Sequence, residues 1–131
     1  MELNHHHIKK IAQKHNLKLL ILFGSQVTQN IHPESDIDIA FFADTKVDEE
    51  KLYEDLMALL RRADIDLINL YTHHDHLLRY QILSKGVALY EAEKGLMSKM
   101  EGDSYIDYMD FKKYDEIRSI LLDKKLAEMT A

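Results

Sequence analysis

Apolar positions recur along this chain with two different periods, and the alternation between them predicts the order of elements. Leu3, Ile8, Ile11 and Ala12 fall at helical spacing, which predicts an amphipathic first helix ending near His15 and Asn16. Residues 17–23 then form a short, almost unbroken apolar run bounded by Gly24, and that length with that punctuation favours a buried strand. Residues 29–35 are polar and hold Pro33, the signature of a loop. Residues 36–42 begin as Asp-Ile-Asp-Ile and become wholly apolar, a strand with one polar face at its start.

The second half continues the alternation. Asp44 or Thr45 is placed to cap a helix with Asp48, Glu49 and Glu50 in its first turn, an apolar stripe of Leu52, Leu56, Leu59 and Leu60, and Arg61 and Arg62 at its end. Residues 64–70 read as a third strand. Thr72, three residues before Asp75, resembles a capping box and predicts a helix through Leu77, Leu78, Ile82 and Leu83 that Gly86 closes. Residues 87–90 are a short fourth strand. Residues 93–101 read as a charged linker or helical turn, and from Asp103 onward Tyr105, Tyr108, Met109, Phe111, Ile117, Ile120 and Leu121 predict a long helix with an aromatic stripe. The expected fold is α+β, a mixed β-sheet flanked by helices. A domain over residues 1–92 is followed by a C-terminal helical arm over residues 93–131, whose stripe packs either on that domain or on a partner.

Composition narrows the chemistry. The 131 residues suit one domain. With 23 acidic and 17 basic residues the net charge is -6, so the chain as a whole does not attract nucleic acid or anionic lipid. Cysteine is absent, which excludes disulfides, thiolate nucleophiles and Cys-zinc sites. No apolar run approaches the roughly 20 residues that span a bilayer, and the first 30 residues lack a signal-type apolar core, so a cytoplasmic location is expected. His5, His6 and His7, and likewise His73, His74 and His76, are not spaced as a zinc set. Arg79 reads as a surface or salt-bridging residue rather than a phosphate ligand.

Chemistry concentrates between Phe23 and Asp38. Gly24-Ser25 ends a strand, and Asp36 and Asp38 follow at a spacing of G-S-x10-D-x-D. Two Asp one residue apart on a strand share a face. Their mutual repulsion is relieved by a divalent cation, and oxygen-only ligands suit Mg²⁺. A Gly-Ser turn offers close backbone approach, N–H groups and a hydroxyl for phosphate oxygens. Asp66, within Ile-Asp-Leu-Ile on the third strand, supplies a third carboxylate if that strand neighbours the second. Asp64 is in phase with it but sits at the strand's entrance. Three carboxylates, two metal ions and a phosphate-holding turn are the parts of in-line phosphoryl or nucleotidyl transfer.

These residues resemble the DNA polymerase β-type nucleotidyltransferase superfamily: Gly24-Ser25, Asp36-Ile37-Asp38 and Ile65-Asp66-Leu67. The segments 35–40 and 77–91 narrow the resemblance to the minimal nucleotidyltransferase (MNT, or MntA-type) antitoxins, partners of HEPN-domain ribonuclease toxins. The likeness runs from about Leu17 to Glu91. It implies a Mg²⁺-dependent protein adenylyltransferase that moves AMP from ATP to a tyrosine of the toxin. By the same resemblance Asp36, Asp38 and Asp66 are the catalytic metal ligands for two Mg²⁺ ions, and Gly24 and Ser25 hold the triphosphate. An antitoxin that neutralises by binding alone, or a nucleotidyltransferase acting on a small molecule, are the alternative functions.

Overall fold

The computed structural model of the chain describes residues 4–24 and 36–130. Ser25 and the expected loop over residues 29–35 lie outside the described residues, as does Leu3. The elements in order are α1 (His5–Lys14), β1 (Leu19–Phe23), β2 (Ile37–Phe42), α2 (Glu49–Leu60), β3 (Ile65–Asn69), α3 (His76–Lys85), β4 (Val87–Glu91) and α4 (Leu96–Thr130). They build the α+β architecture that the patterning predicts.

The four strands form one mixed sheet in the order β3-β2-β1-β4. β1 lies antiparallel to both β2 and β4, while β2 and β3 run parallel. The period-2 alternation of each strand feeds two separate cores. Leu20, Leu22, Ile37, Ile39, Phe41 and Ile65 face α1 and α2, where they meet Ile8, Ala12, Leu52 and Leu56. Leu19, Ile21 and Ala40 face the other way and pack with Ile82, Leu83, Leu96, Met97 and Met100 of α3 and α4. A central strand buried on both faces explains why residues 19–23 are apolar throughout rather than alternating.

Local chemistry moves several boundaries. The N-cap of α2 is Asp48, not Asp44 or Thr45, and its carboxylate accepts from Lys51 N–H at 3.2 Å. The N-cap of α3 is Asp75, not Thr72, and it accepts from Leu78 N–H at 3.0 Å. The chain reverses before that helix: Asn69 Oδ1 accepts from Tyr71 N–H, and His73 Nδ1 accepts from Asp75 N–H. That turn consumes the residues a capping box at Thr72 would have made helical. The expected linker over residues 93–101 is largely helix, because α4 starts at Leu96 and runs unbroken through the aromatic stripe. Gly95, at φ 87, supplies the left-handed turn into it, and Glu91 accepts from Met97 N–H at 3.1 Å.

Gly86 closes α3, but its φ of -74 shows that a left-handed cap is not the reason for glycine there. A Cβ would stand 2.5 Å from Ile21 Cγ2 and 2.5 Å from the Ile82 carbonyl oxygen. Glycine allows β4 to turn tightly beside the fully buried Ile21. Gly86→Ala is therefore expected to cost about 1–3 kcal/mol by overpacking. Urea denaturation that gave the wild-type midpoint would disprove this account.

α1 is tied to α2 by Asp55, whose carboxylate receives Lys14 Nζ at 3.0 Å and lies 2.7 Å from Nε2 of the buried His15. The hydrogen bond with His15, followed by that from Lys14, holds the Asp55 carboxyl below its ordinary value of 3.8. A carboxylate lowered in the folded state stabilises the fold above its unfolded pKa, and the contribution disappears as pH falls through the folded one. Asp55→Asn should lower stability by about 1 kcal/mol at neutral pH. The deficit relative to wild type should shrink below pH 3.8, which parallel urea melts at neutral and acid pH would check.

Candidate active site

Three chain segments meet at one end of the sheet. β1 runs toward it and ends at Phe23 and Gly24, while β2 and β3 both start from it. Phe23 pairs with Asp38 across the antiparallel ladder, and Asp38 pairs with Asp66 across the parallel one. Ile37 and Ile39 are fully buried against the α1–α2 face, so strand alternation turns Asp38 to the opposite face. Ile65 and Asp66 divide in the same way. The register thus brings the second Asp of the D-x-D pair and Asp66 side by side, and Asp36 lies in phase with Asp38 just before β2 begins.

The carboxylates feel one another's charge. Partial burial, then the charge of Asp66, then that of Asp36, push the Asp38 carboxyl above its ordinary range. Gly24 completes the corner. Its φ is 78, and a Cβ there would overlap Asp38 Oδ2. Only a residue without a side chain lets the end of β1 approach the Asp38 carboxylate this closely.

Asp64 is on the same strand phase as Asp66 but has a different environment. Its carboxylate is held in a two-point ion pair by Arg62, with Nε donating to Oδ1 at 2.8 Å and Nη2 to Oδ2. That guanidinium keeps Asp64 below the usual carboxylate range. The Asp64 carbonyl accepts from Ile37 N–H at 2.9 Å, which locks the start of β3 to the start of β2. Arg62 also feels the charge of Asp36. Sequence reasoning placed Arg62 only as a helix-end cation; the R-x-D spacing into a strand was the signal available for its pairing.

The donor set fits a hard divalent cation: carboxylate oxygens alone, in mutual repulsion, beside a cradle that a Cβ would fill. Among the described residues, no three His, Asp or Glu side chains are drawn into a ready-made metal cage. The histidines do not join the site. His76 stacks on Phe111 at 4.9 Å, and His73 serves the turn before α3. Arg79 lies elsewhere, in a cavity of about 300 Å³ shared with Phe42 at the far end of β2, and its buried Nε has no partner among the described residues.

A strand end with glycine, a D-x-D at the next strand's start and a third carboxylate in register make this end of the sheet the candidate active site. The chain belongs to the polymerase beta nucleotidyltransferase family, whose profile matches residues 6–95. No curated protein matches the sequence. Among solved structures, it is similar to a chain of a toxin–antitoxin complex containing AMP-PNP, at 27% identity and TM-score 0.72, covering 92% of this chain and 98% of that one. A mutant MntA-HpeT toxin–antitoxin complex matches at 26% identity and TM-score 0.70, with the same coverages. A complex of tri-AMPylated Shewanella oneidensis HEPN toxin with MNT antitoxin, at 24% identity, TM-score 0.64 and coverages of 91% and 93%, shares the fold. Among the described residues no helix is long and apolar enough to cross a membrane.

Proposed function

We propose that this chain is the cytoplasmic antitoxin of a HEPN-domain ribonuclease toxin and silences it by Mg²⁺-dependent transfer of AMP from ATP to a toxin tyrosine. The observation that carries the reading is the register of Asp38 with Asp66 beside Gly24. Similarity to toxin–antitoxin complexes, one of them holding AMP-PNP, supports the substrate and the partner.

Asp36 and Asp38, with Asp66 across the ladder, would hold two Mg²⁺ ions. Bound there, the metal supplies charge stabilisation for the phosphoryl oxygens and the leaving pyrophosphate. Gly24 and Ser25 hold the triphosphate through backbone N–H groups and the Ser25 hydroxyl. Asp66 orients the acceptor hydroxyl and takes its proton on a carboxylate oxygen. The tyrosine oxygen then bonds the α-phosphorus as the bond from that phosphorus to the bridging oxygen of the β-phosphate breaks.

In this reading residues 1–92 carry the chemistry and the arm over residues 93–131 serves docking. Tyr105 and Tyr108 pack on Tyr80 of α3, and Phe111 on His76, so the first half of α4 is tied to the domain. Residues 112–130 are exposed throughout and display Tyr114, Ile117, Ile120, Leu121, Leu122, Leu126 and Met129, an apolar band suited to a helical partner. That band also favours the second reading, neutralisation by occlusion without catalysis.

The test is the intact mass of the adjacent gene's product after incubation with this protein, ATP and Mg²⁺. A gain of one or more AMP units, mapped to a tyrosine, supports transfer. A stable complex without a mass gain overturns it in favour of occlusion.

A further inference from the structure

The first helix is basic although the chain as a whole is acidic. α1 carries Lys9, Lys10 and Lys14 and no Asp or Glu. It packs beside α2, and between them runs a groove of about 510 Å³. Ile11, Ala58 and Leu59 form an aliphatic floor, and Lys10, Lys14 and Arg61 stand around it. The groove's one carboxylate, Asp55, is already engaged by Lys14 and His15. Lys10 and Arg61 have no ion pair among the described residues. The groove therefore presents net positive charge over an apolar base.

Its position matters as much as its charge. Arg61 closes α2 in the left-handed conformation at φ 54, four residues before Ile65 opens β3. The Arg61 end of the groove thus lies at the end of the sheet where Asp36, Asp38 and Asp66 stand. A segment held along α1 and α2 would come to that end of the sheet on the face opposite the one to which Asp38 turns, and would have to round the sheet end to reach it.

We propose that this groove docks an acidic, amphipathic segment of the polypeptide that receives the nucleotide; that the bound polypeptide is the acceptor rests on the function proposed above. Carboxylates of the segment meet Lys10, Lys14 and Arg61, and its apolar side chains lie on Ile11, Ala58 and Leu59. A polypeptide rather than a nucleic acid is favoured because His7 is the only ring in the lining among the described residues, too little for a platform that stacks successive bases. Docking of this kind raises the effective concentration of the acceptor hydroxyl at the site and sets which proteins are modified.

The test uses the full chain without nucleotide and a fluorescein-labelled amphipathic Glu/Leu peptide of about 15 residues, followed by anisotropy. A Lys/Leu peptide of the same pattern and a single-stranded oligothymidylate are the comparison probes. The Glu/Leu peptide should bind tightest and weaken severalfold between roughly 50 and 300 mM salt. Lys10→Glu with Arg61→Glu should weaken it about tenfold or more. The milder pair Lys10→Gln and Arg61→Gly, which removes charge and eases the left-handed backbone, should weaken it while the fold is retained. Asp38→Asn should not change it. Equal binding by the Lys/Leu peptide, equal or tighter binding by the oligonucleotide, or undiminished binding by the folded milder variant would each overturn the proposal. The probe has no hydroxyl acceptor, so failure here leaves the transferase reading standing, and failure of the mass-gain experiment leaves the groove's affinity standing.

Discussion

Replacing Asp36 and Asp38 together by Asn should reduce nucleotide transfer by roughly 10³-fold or more while the melting temperature stays level or rises. The two side chains contribute nothing to either apolar core; the fully buried neighbours Ile37 and Ile39 do that. What the carboxylates contribute to the isolated fold is repulsion, since Asp38 is strained by partial burial and by the charges of Asp66 and Asp36. Asn keeps the shape, removes the repulsion and forfeits the ligands. Mass spectrometry of the acceptor after a fixed incubation, run beside a thermal melt, reads both quantities. Undiminished transfer would defeat the site assignment, and a large fall in melting temperature would mean that the pair is structural.

Gly24→Ala should also suppress transfer, by roughly 10²-fold, with a stability cost of about 1–2 kcal/mol. The backbone there is left-handed at φ 78, which an alanine adopts only at a cost. The new methyl would collide with Asp38 Oδ2, the mobile tip of a side chain rather than backbone, so the fold survives by swinging the carboxylate aside. If Asp38 holds the metal as proposed, displacing its carboxylate is a small structural change and a large chemical one. Retention of full activity by this variant would show that Asp38 tolerates a shifted position.

The carboxylate pair and the glycine of the candidate site could be singled out before any tertiary contact was known. Asp36 and Asp38 sit two apart on a strand, so period-2 geometry alone sets them on one face. Gly24 ends an apolar run, and glycine at such a point signals a close backbone approach. The choice of Asp66 over Asp64 rested on resemblance, because both are in phase on β3. In the folded chain Arg62 grips Asp64, while Asp66 pairs in register with Asp38. A guanidinium two residues away was visible in the sequence, but which of two nearby carboxylates it would hold was not.

The elements were legible for the same local reason: amphipathic period separates helix from strand without reference to the rest of the molecule. Caps were less so. Asp44, Thr45 and Thr72 are all competent N-caps, and Asp48 and Asp75 prevail because the turns before α2 and α3 consume the earlier residues. The break expected over residues 93–101 was equally a matter of context. Those residues are polar and Met-rich, and Met97 and Met100 become helical by packing on the second core beside Ile82 and Leu83.

The sequence by itself determined the α+β class, the carboxylate pair and the glycine turn, because strand alternation and backbone conformation are set by near neighbours. The tertiary structure alone decided that β2 lies between β1 and β3, that Asp38 faces Asp66, and that Lys10 and Arg61 edge a common groove. Those juxtapositions join residues from 15 positions apart, Phe23 with Asp38, to 51 apart, Lys10 with Arg61, and no local period encodes them. Burial of the two cores on either side of one sheet fixes them, by bringing distant apolar faces together and carrying the polar residues along.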